Sequence, residues 1–282
     1  MPEGPEVRTI VDGLSSSIKG SVLEQIVFSK NGKYREKSPD HYRQIERLLP
    51  LKIKGVKCKG KFIYFWFQSN QDGKKMDCYM GNSLGMTGIW KVTSLNKQRM
   101  IPKHTCMTLL TNKGIFDFVD QRHFGCVHFF TDDQDLKKKL STIGPDVLNT
   151  KISESEFIDI YKTKPKKNIV VALMDQSLVS GIGNYIKSES LYRAKINPHK
   201  TINDLTDEQL KKLYRSVKNV TEGSYKYGGM SQENYVDLDG KEGKYVNHLL
   251  VYRQQKDPKG NKVIREVTKD KRSTFWVPEI QI

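Results

Sequence analysis

The stretch Leu173–Ala194 reads Leu-Met-Asp-Gln-Ser-Leu-Val-Ser-Gly-Ile-Gly-Asn-Tyr-Ile-Lys-Ser-Glu-Ser-Leu-Tyr-Arg-Ala and sets the architecture of the second half of the chain. A helix is predicted to run into Ser180–Gly183, and Asn184 is predicted to cap a second helix. Because two glycines allow close approach and a helix N-terminus offers free N–H groups, this turn is suited to binding a phosphate. The alternative is an ordinary helix hairpin with a glycine turn.

The charge of the whole chain favours phosphate binding. The 282 residues include 48 lysines and arginines against 32 aspartates and glutamates, so the net charge is +16. Such an excess points first to a polyanion, most often nucleic acid, and a generally lysine-rich surface is the alternative. At roughly 150 residues per domain the length predicts two domains. An aromatic content of 10% argues against wholesale disorder.

Several classes of protein are excluded by the same sequence. The strongest apolar run, Phe62–Phe67, is far shorter than the roughly 20 residues of a membrane helix. The start Met-Pro-Glu-Gly-Pro-Glu is too acidic and polar for a secretory signal. The cysteines form no Cys-x-x-Cys pair, which argues against a compact zinc site. Buried free thiols in a reducing, intracellular compartment are therefore predicted for Cys58, Cys78, Cys106 and Cys126.

Helical and extended patterns divide the first half of the chain. Apolar residues at helical spacing between Val7 and Ile18 predict a first helix. Eight β-branched and aromatic runs then predict a β-sandwich or barrel, with an inserted helix at Asp40–Leu49. The predicted strands are Val22–Phe28, Ile53–Cys58, Phe62–Phe67, Cys78–Met80, Ile89–Val92, Thr105–Thr111, Ile115–Val119 and Cys126–Phe130.

The second half is predicted to be a helical domain followed by a hairpin. Residues 131–167 are polar, and the next segments have helical patterns, the last of which starts with a capping box. The predicted helices are Ile169–Met174, Tyr185–Ala194 and Thr206–Gly223. Near the end, two strands are predicted at His248–Arg253 and Lys262–Thr268, around a turn at Asp257–Asn261.

Pro2 is the first residue that can carry chemistry. Removal of the initiator methionine would leave a secondary amine, whose pKa of about 8 keeps a neutral fraction at pH 7. Such an amine can attack an aldehydic carbon and form a charged iminium, with the adjacent Glu3 as general acid or base. An inert Met-Pro start is the common alternative.

Two further patterns are compatible with DNA binding. Lys61 follows Gly60 and precedes an apolar strand, so it can lie in a cleft; a solvated strand-end lysine is the alternative. Arg122 and Phe124 are two residues apart on an extended loop and point the same way. They can wedge into a duplex, or they can form a plain surface pair.

Together these residues resemble one family over nearly the full length, the formamidopyrimidine-DNA glycosylases and endonuclease VIII (Fpg/Nei). Any one motif can arise by chance, whereas seven in register are specific. The resembling segments are Met1–Val7, Gly60–Phe62, Leu84–Gly88, Lys103-His104, Arg122–Gly125, Ile143–Leu148 and Asp175–Tyr185.

The resemblance implies an α+β multidomain fold and an enzyme. A β-sandwich domain with flanking helices is expected at 1–134, a helix-two-turns-helix domain at 135–228, and a loop with a zincless-finger β-hairpin at 229–282. DNA would lie in the cleft between the first two domains. The implied activity is that of a bifunctional glycosylase, which removes a damaged base and cuts the strand by β,δ-elimination. Pro2 would attack C1′ and displace the base, Glu3 would act as acid and base, and Lys61 would contact the phosphate of the lesion.

The resemblance also assigns residues that contact the DNA or the extruded base. Some grip phosphates, and others fill the void that base flipping leaves, which offsets part of a cost of a few kcal/mol. The phosphate residues would be His104, Asn184 and Arg272, the void-filling residues Met86, Arg122 and Phe124, and a residue of the base pocket Glu6.

The carboxyl-terminal segment departs from the zinc finger that usually ends the family. No cysteine follows Cys126, and Val277 and Ile280 stand where two zinc ligands would be. This resembles the zincless finger of some eukaryotic endonuclease VIII-like members. A hairpin held by packing is therefore expected, without metal or other cofactor, and with Arg272 still directed at phosphate.

The sequence carries conflicting signals about the lesion. Gly4 resembles the endonuclease VIII-like opening and favours oxidised pyrimidines and hydantoins, which are the preferred prediction. Gly228–Ser231 and Tyr235–Gly243 resemble the lesion-capping loop of the purine branch, so a preference for 8-oxoguanine and formamidopyrimidine is the alternative.

The expected partner is damaged double-stranded DNA, with single-stranded DNA left open. A monomer without membrane association is expected, in the nucleus or an equivalent compartment where DNA is repaired. A non-catalytic DNA-binding relative and an RNA-associated basic protein remain alternatives. Neither has a reason to retain Pro2, Glu3 and Lys61.

Overall fold

A computed structural model describes residues 2–30, 32–71, 73–97, 100–150, 152–230, 238 and 240–282. The described residues form two compact units. The first contains Pro2, Glu6–Ser141 and the described residues of 238–243. The second contains Glu3–Pro5, Thr142–Met230 and Lys244–Ile282. The three domain boundaries inferred from the sequence stay a prediction.

The first unit is the predicted β-sandwich. Its antiparallel strands follow the order β5-β7-β6-β1-β2-β3-β4-β8. Only two residue pairs, Val22 with Lys52 and Leu23 with Leu51, join β1 to β2, so the sheet folds over there and its two halves enclose one core. The strands are β1 (Val22–Phe28), β2 (Leu51–Lys59), β3 (Phe62–Gln71), β4 (Lys74–Ser83), β5 (Ile89–Thr93), β6 (Thr105–Thr111), β7 (Gly114–Val119) and β8 (Cys126–Phe130).

Three helices accompany this sheet. Helix α1 (Gly4–Ile18) buries the predicted apolar stripe completely, because its apolar residues recur at the helical period. Helix α2 (Tyr42–Glu46) is shorter than the predicted Asp40–Leu49. Helix α3 (Asp133–Ser141) was not predicted, since it buries only Leu136 and so lacks an apolar stripe.

The second unit is helical and ends in a two-stranded hairpin. The predicted capping box of the longest helix is confirmed, with Thr206 and Gln209 exchanging their hydrogen bonds. The element at 154–162 was missed, although Ser153 and Glu156 form a second capping box that marks its start. The elements are α4 (Glu154–Lys162), α5 (Ile169–Met174), α6 (Asn184–Ala194), α7 (Asp207–Lys226), β9 (Ile264–Val267) and β10 (Ser273–Trp276), with single 3-10 turns at Ile202–Asp204 and Tyr245–His248.

Of the two strands predicted for the terminal hairpin, Lys262–Thr268 contains β9 and is confirmed, whereas His248–Arg253 is wrong. The hairpin pairs Ile264–Val267 with Ser273–Trp276. Residues His248–Arg253 form no strand, because the backbone N–H groups of residues 250–252 donate to the buried carboxylate of Glu189 at 2.9–3.0 Å. The predicted turn at Asp257–Asn261 does exist, closed by a hydrogen bond from the Asp257 N–H to the Asn261 carbonyl at 3.0 Å.

All four cysteines are free thiols, but only two of them are buried. Cys78 and Cys106 lie in the core, and burial raises the pKa of the Cys78 thiol to about 12. Cys58 and Cys126 are half-buried, so the prediction of four buried thiols is wrong for these two. No helix among the described residues is long and apolar enough to span a membrane.

Candidate active site

Glu3 is buried at the N-terminus of α6, with 4% of its surface exposed. Its carboxylate accepts hydrogen bonds from the Tyr185 N–H at 3.0 Å and the Ile186 N–H at 3.3 Å. The next residue is fixed as well, because the Gly4 N–H donates to the Gly181 carbonyl at 2.8 Å. The first turn of α6 and its positive dipole end therefore hold the residue that follows Pro2.

Two parts of the sequence interpretation change here. The helix N-terminus predicted to bind a DNA phosphate gives two of its N–H groups to the carboxylate of Glu3. The cap residue is Gly183 rather than Asn184, and Asn184 is the first residue of the helix.

The glycines of this turn are required by close approach. A Cβ on Gly183 would lie 2.1 Å from the Glu3 Cδ, and a Cβ on Gly4 would lie 3.1 Å from the Gly181 Cα. Real Cβ atoms essentially never come within 3.0 Å of another heavy atom. The prediction that glycine permits close approach holds, and the approaching group is a side chain of the protein.

Gly183→Ala should therefore displace the Glu3 carboxylate. We expect excision and strand cleavage to fall at least about tenfold, since misplacing a reacting group by 1 Å can cost ~100-fold. Gel assays of single-turnover cleavage measure this. Gly55→Ala is the control for folding, because a Cβ at Gly55 meets nothing within 4 Å and its backbone is not in the left-handed region. Unchanged cleavage by a folded Gly183→Ala protein would contradict the role given to Glu3.

The other predicted catalytic residues lie in the first unit. Pro2 is buried, and Lys61 is half-buried in the tight turn between β2 and β3, where Gly60 has a φ of 56°. Glu6 is 1% exposed on α1. Their predicted roles stay predictions.

Two of the predicted phosphate residues share a cavity of about 560 Å³ in the second unit. Asn184 and Arg272 line it, and Arg253 and Arg265 join them. Three guanidinium groups and an amide make this cavity suited to an anion. The sequence analysis missed Arg253 and Arg265, because neither belongs to a recognisable motif.

Arg272 is held by the turn between β9 and β10. The carboxylate of Asp270 accepts from the Arg272 N–H at 3.3 Å and from the Thr268 hydroxyl at 2.7 Å, and its other oxygen pairs with Lys187 at 2.5 Å. The Lys187 and Asp270 side chains are 0% and 3% exposed. Burial lowers the pKa of Lys187, while Asp270 and then Glu3 oppose that effect. The ion pair thus joins α6 directly to the turn that carries Arg272.

The side chains of this hairpin do not fit a zinc ion. Val277 and Ile280 occupy two positions of the expected ligand set, and Val277 is fully buried. Among the described residues, no group of three or more histidine, cysteine, aspartate or glutamate side chains could hold a metal. Zinc requires thiolate, imidazole or carboxylate ligands, which these positions lack.

The predicted void-filling residues form one cluster in the first unit. The Arg122 guanidinium lies 4.7 Å from the centre of the Phe124 ring, and its Nη1 lies 3.3 Å from the Met86 sulfur. Met86 is 37% and Phe124 54% exposed. Apolar side chains this exposed mark an interaction surface more often than a core.

Asp120, which the sequence analysis did not single out, holds this cluster together. Its buried carboxylate accepts from the Thr87 hydroxyl, from the Arg122 N–H at 3.2 Å and from the Gly125 N–H at 2.7 Å. Its own N–H donates to the carbonyl of His104, a predicted phosphate residue with a φ of 63°. One carboxylate therefore fixes both loops of the cluster.

Asp120→Ala should loosen the void-filling loops. We expect base excision from duplex DNA to fall about tenfold, since base flipping costs a few kcal/mol that the inserted side chains offset. Cleavage at an abasic site in single-stranded DNA should change much less, because no base has to leave a stack. Comparing the two rates separates a loop defect from a general loss of folding, and an equal loss in both would contradict this role.

Three sequence-family matches cover almost the whole chain. The formamidopyrimidine-DNA glycosylase N-terminal domain matches residues 1–127, the H2TH domain residues 143–235, and the C-terminal domain residues 235–282. The chain is 31% identical to a formamidopyrimidine-DNA glycosylase of Desulfitobacterium hafniense, with all of both chains covered. It is 26% identical to that of Listeria monocytogenes, again over both full chains.

Solved structures show the same fold. The Lactococcus lactis Fpg in complex with an abasic site containing DNA matches with a TM-score of 0.83, 28% identity and 99% of both chains. MutM in complex with carbocyclic 8-oxo-G containing DNA matches with a TM-score of 0.82, 26% identity and 100% of both chains. The chain therefore belongs to the formamidopyrimidine-DNA glycosylase (Fpg/Nei) family, the bifunctional DNA glycosylases and AP lyases of base-excision repair.

Proposed function

We propose that this protein excises oxidised bases from double-stranded DNA and then cuts the strand by β,δ-elimination. The observation that carries the proposal is the anchoring of Glu3, the residue next to Pro2, at the N-terminus of α6. This arrangement presents a carboxylate beside an amine, the pair that a Schiff-base lyase needs.

The first step is attack by the amine of Pro2. Its lone pair forms a bond to C1′, and the bond from C1′ to the damaged base breaks. Glu3 exchanges protons with the sugar while the ring opens and the iminium forms. The positive iminium nitrogen then accepts electrons, which lowers the barrier to loss of the 3′ and then the 5′ phosphate. Lys61 contacts the phosphate of the lesion.

Residues of both units contact the DNA. Asn184 and Arg272 bind phosphate; Asn184 gives one amide N–H to the Ser273 carbonyl at 2.8 Å and has a second for the DNA. Met86, Arg122 and Phe124 enter the duplex where the base has left. His104 binds a further phosphate, and Glu6 borders the base. The protein acts as a monomer, without a metal in its hairpin.

Two lesion classes are candidates, each with one supporting observation. Gly4 supports oxidised pyrimidines and hydantoins. The names of the relatives and the 8-oxo-G and Fapy-dG in their complexes support formamidopyrimidine and 8-oxoguanine. The tight contact with Gly181, 3.1 Å from an added Cβ, also favours a glycine at position 4, which weakens the first argument. Much of the loop that resembles the lesion-capping loop, including Tyr235, lies outside the described residues.

Borohydride trapping tests the proposal. The protein without Met1 is incubated with duplexes that hold thymine glycol, a hydantoin, 8-oxoguanine or an abasic site, and borohydride reduces any iminium to a stable adduct. An adduct that disappears in Pro2→Thr supports the lyase, and the relative rates on the three bases rank the lesion classes. Tight DNA binding without any adduct would favour a non-catalytic relative.

A further inference from the structure

Three lysines of strand β2 lie on the outer face of the sandwich. In a regular strand Lys54 and Lys57 would point to opposite faces, because side chains alternate. The register between β2 and β3 shifts between Ile53 and Gly55, and this bulge returns Lys57 to the face of Lys52 and Lys54. Without the bulge, Lys57 would point into the core.

Two aromatic rings of β3 lie on the same face. Tyr64 pairs with Lys57, and Trp66 pairs with Gly55 in the bulge. Both rings are half-buried, whereas the alternate residues Phe65 and Phe67 are fully buried in the core. We call Lys52, Lys54, Lys57, Tyr64 and Trp66 the outer lysine surface.

The charges of this surface are not neutralised within the described residues. Among those residues, no carboxylate oxygen lies within 4.0 Å of the Nζ atom of Lys52, Lys54 or Lys57. The Nζ atoms of Lys54 and Lys57 instead lie 5.9 and 5.8 Å from the centre of the Trp66 ring. Asp77, an acid on the same face, accepts a hydrogen bond from Gln68 at 2.9 Å.

We propose that the outer lysine surface binds single-stranded nucleic acid, at a site separate from the residues that act on the lesion. A row of cations with aromatic rings among them is the combination that binds unpaired strands, since cations follow the backbone and bases stack on rings. Duplex DNA keeps its bases stacked inside, so it could use the lysines only. A lysine face that served only solubility would not need tyrosine and tryptophan among the charges.

Tryptophan fluorescence reports on this surface directly. Trp66 is the half-buried one of the three tryptophans, while Trp90 and Trp276 are 3% and 8% exposed. The full chain is first saturated with a duplex containing a tetrahydrofuran abasic analogue, which occupies the lesion site. Oligothymidylate of eight nucleotides is then added, and quenching of the emission is measured against salt concentration.

We expect quenching that is lost in Trp66→Phe. Lys54→Gln with Lys57→Gln should weaken binding about tenfold and reduce the slope of log K against log salt by about 1.4, since each phosphate contact contributes about 0.7 for single strands. Lys164→Gln with Lys166→Gln is the charge-matched control. Both lysines are exposed between α4 and α5, in the second unit and not on the sandwich. The control should bind as the wild type does.

Three results would overturn the proposal. Quenching that survives Trp66→Phe would place the oligonucleotide elsewhere. An equal loss of affinity in both double-lysine variants would show that net charge alone explains the weaker binding. Equal affinity for an eight-base-pair duplex, added in place of the oligothymidylate, would leave a general polyanion surface and exclude the single-strand assignment. Excision from a short duplex should stay unchanged in all these variants, so a failure here is distinct from a failure of the proposed enzyme activity.

Discussion

Protein that retains Met1, or carries any residue ahead of Pro2, will form no borohydride-stable adduct with abasic DNA. The preceding residue turns the proline nitrogen into an amide, whose lone pair is delocalised and cannot add to C1′. We expect adduct formation and strand cleavage to fall at least about 100-fold. The measurement is trapping on an abasic duplex, with mass spectrometry of each preparation to give the fraction of processed chain.

DNA binding is the control for this loss. The extension leaves the cavity of Asn184 and Arg272 unchanged, so affinity for an abasic-analogue duplex should stay within about threefold, well under the 1.4 kcal/mol of a tenfold change. Pro2→Ala, with Met1 removed, replaces the secondary amine with a primary one and should retain part of the adduct. Full trapping by an unprocessed chain would place the nucleophile on another amine, such as a lysine.

Asp270→Ala will destabilise the protein by about 3–5 kcal/mol, the usual cost of breaking a buried ion pair from one side. Lys187 would stay buried without its partner, and the backbone N–H of Arg272 would lose its acceptor. Urea unfolding followed by tryptophan fluorescence measures the change. We also expect weaker DNA binding, because the turn that carries Arg272 is no longer tied to α6.

A double variant separates the pair from simple packing. Lys187→Met with Asp270→Leu removes both charges at similar volume, and such replacements of buried ion pairs are often neutral or stabilising. Its free energy of unfolding should therefore exceed that of Asp270→Ala by at least about 2 kcal/mol. Equal losses in both variants would show that the cost does not come from leaving Lys187 buried without its partner. DNA affinity should stay reduced in the double variant if Asp270 positions Arg272.

The sequence predicts the helices and strands that carry an apolar pattern or a capping box in their own residues. The strands of the sandwich carry alternating or continuous apolar residues, and α1 and α7 carry an apolar stripe or a capping box, so the sequence identifies them. Helix α3 carries no such pattern, because Leu136 is its only buried residue. The strand predicted at His248–Arg253 failed because its apolar pattern is real but its backbone bonds to the carboxylate of Glu189.

The sequence names candidate site residues, whose roles stay predictions, but it does not show the contacts between them. The resemblance identified Glu3 and the glycine turn separately. Their contact joins residues 182 positions apart, and no periodicity reports a contact at that separation. The sequence likewise does not show that Asp120 accepts hydrogen bonds from three donors on two loops. It also does not distinguish Lys187 from an exposed helix lysine, because its burial depends on the fold.

The anchoring of Glu3 and Gly4 on the turn before α6 has a consequence for modularity. The helical unit is not formed by one continuous segment, because it also contains Glu3–Pro5 from the start of the chain. A gene fragment for residues 142–282 would lack the carboxylate at the N-terminus of α6 and the Gly4 N–H that donates to the Gly181 carbonyl. An exchange of the helical half for that of a distant homologue would therefore also have to match Glu3–Pro5 at the start of the chain.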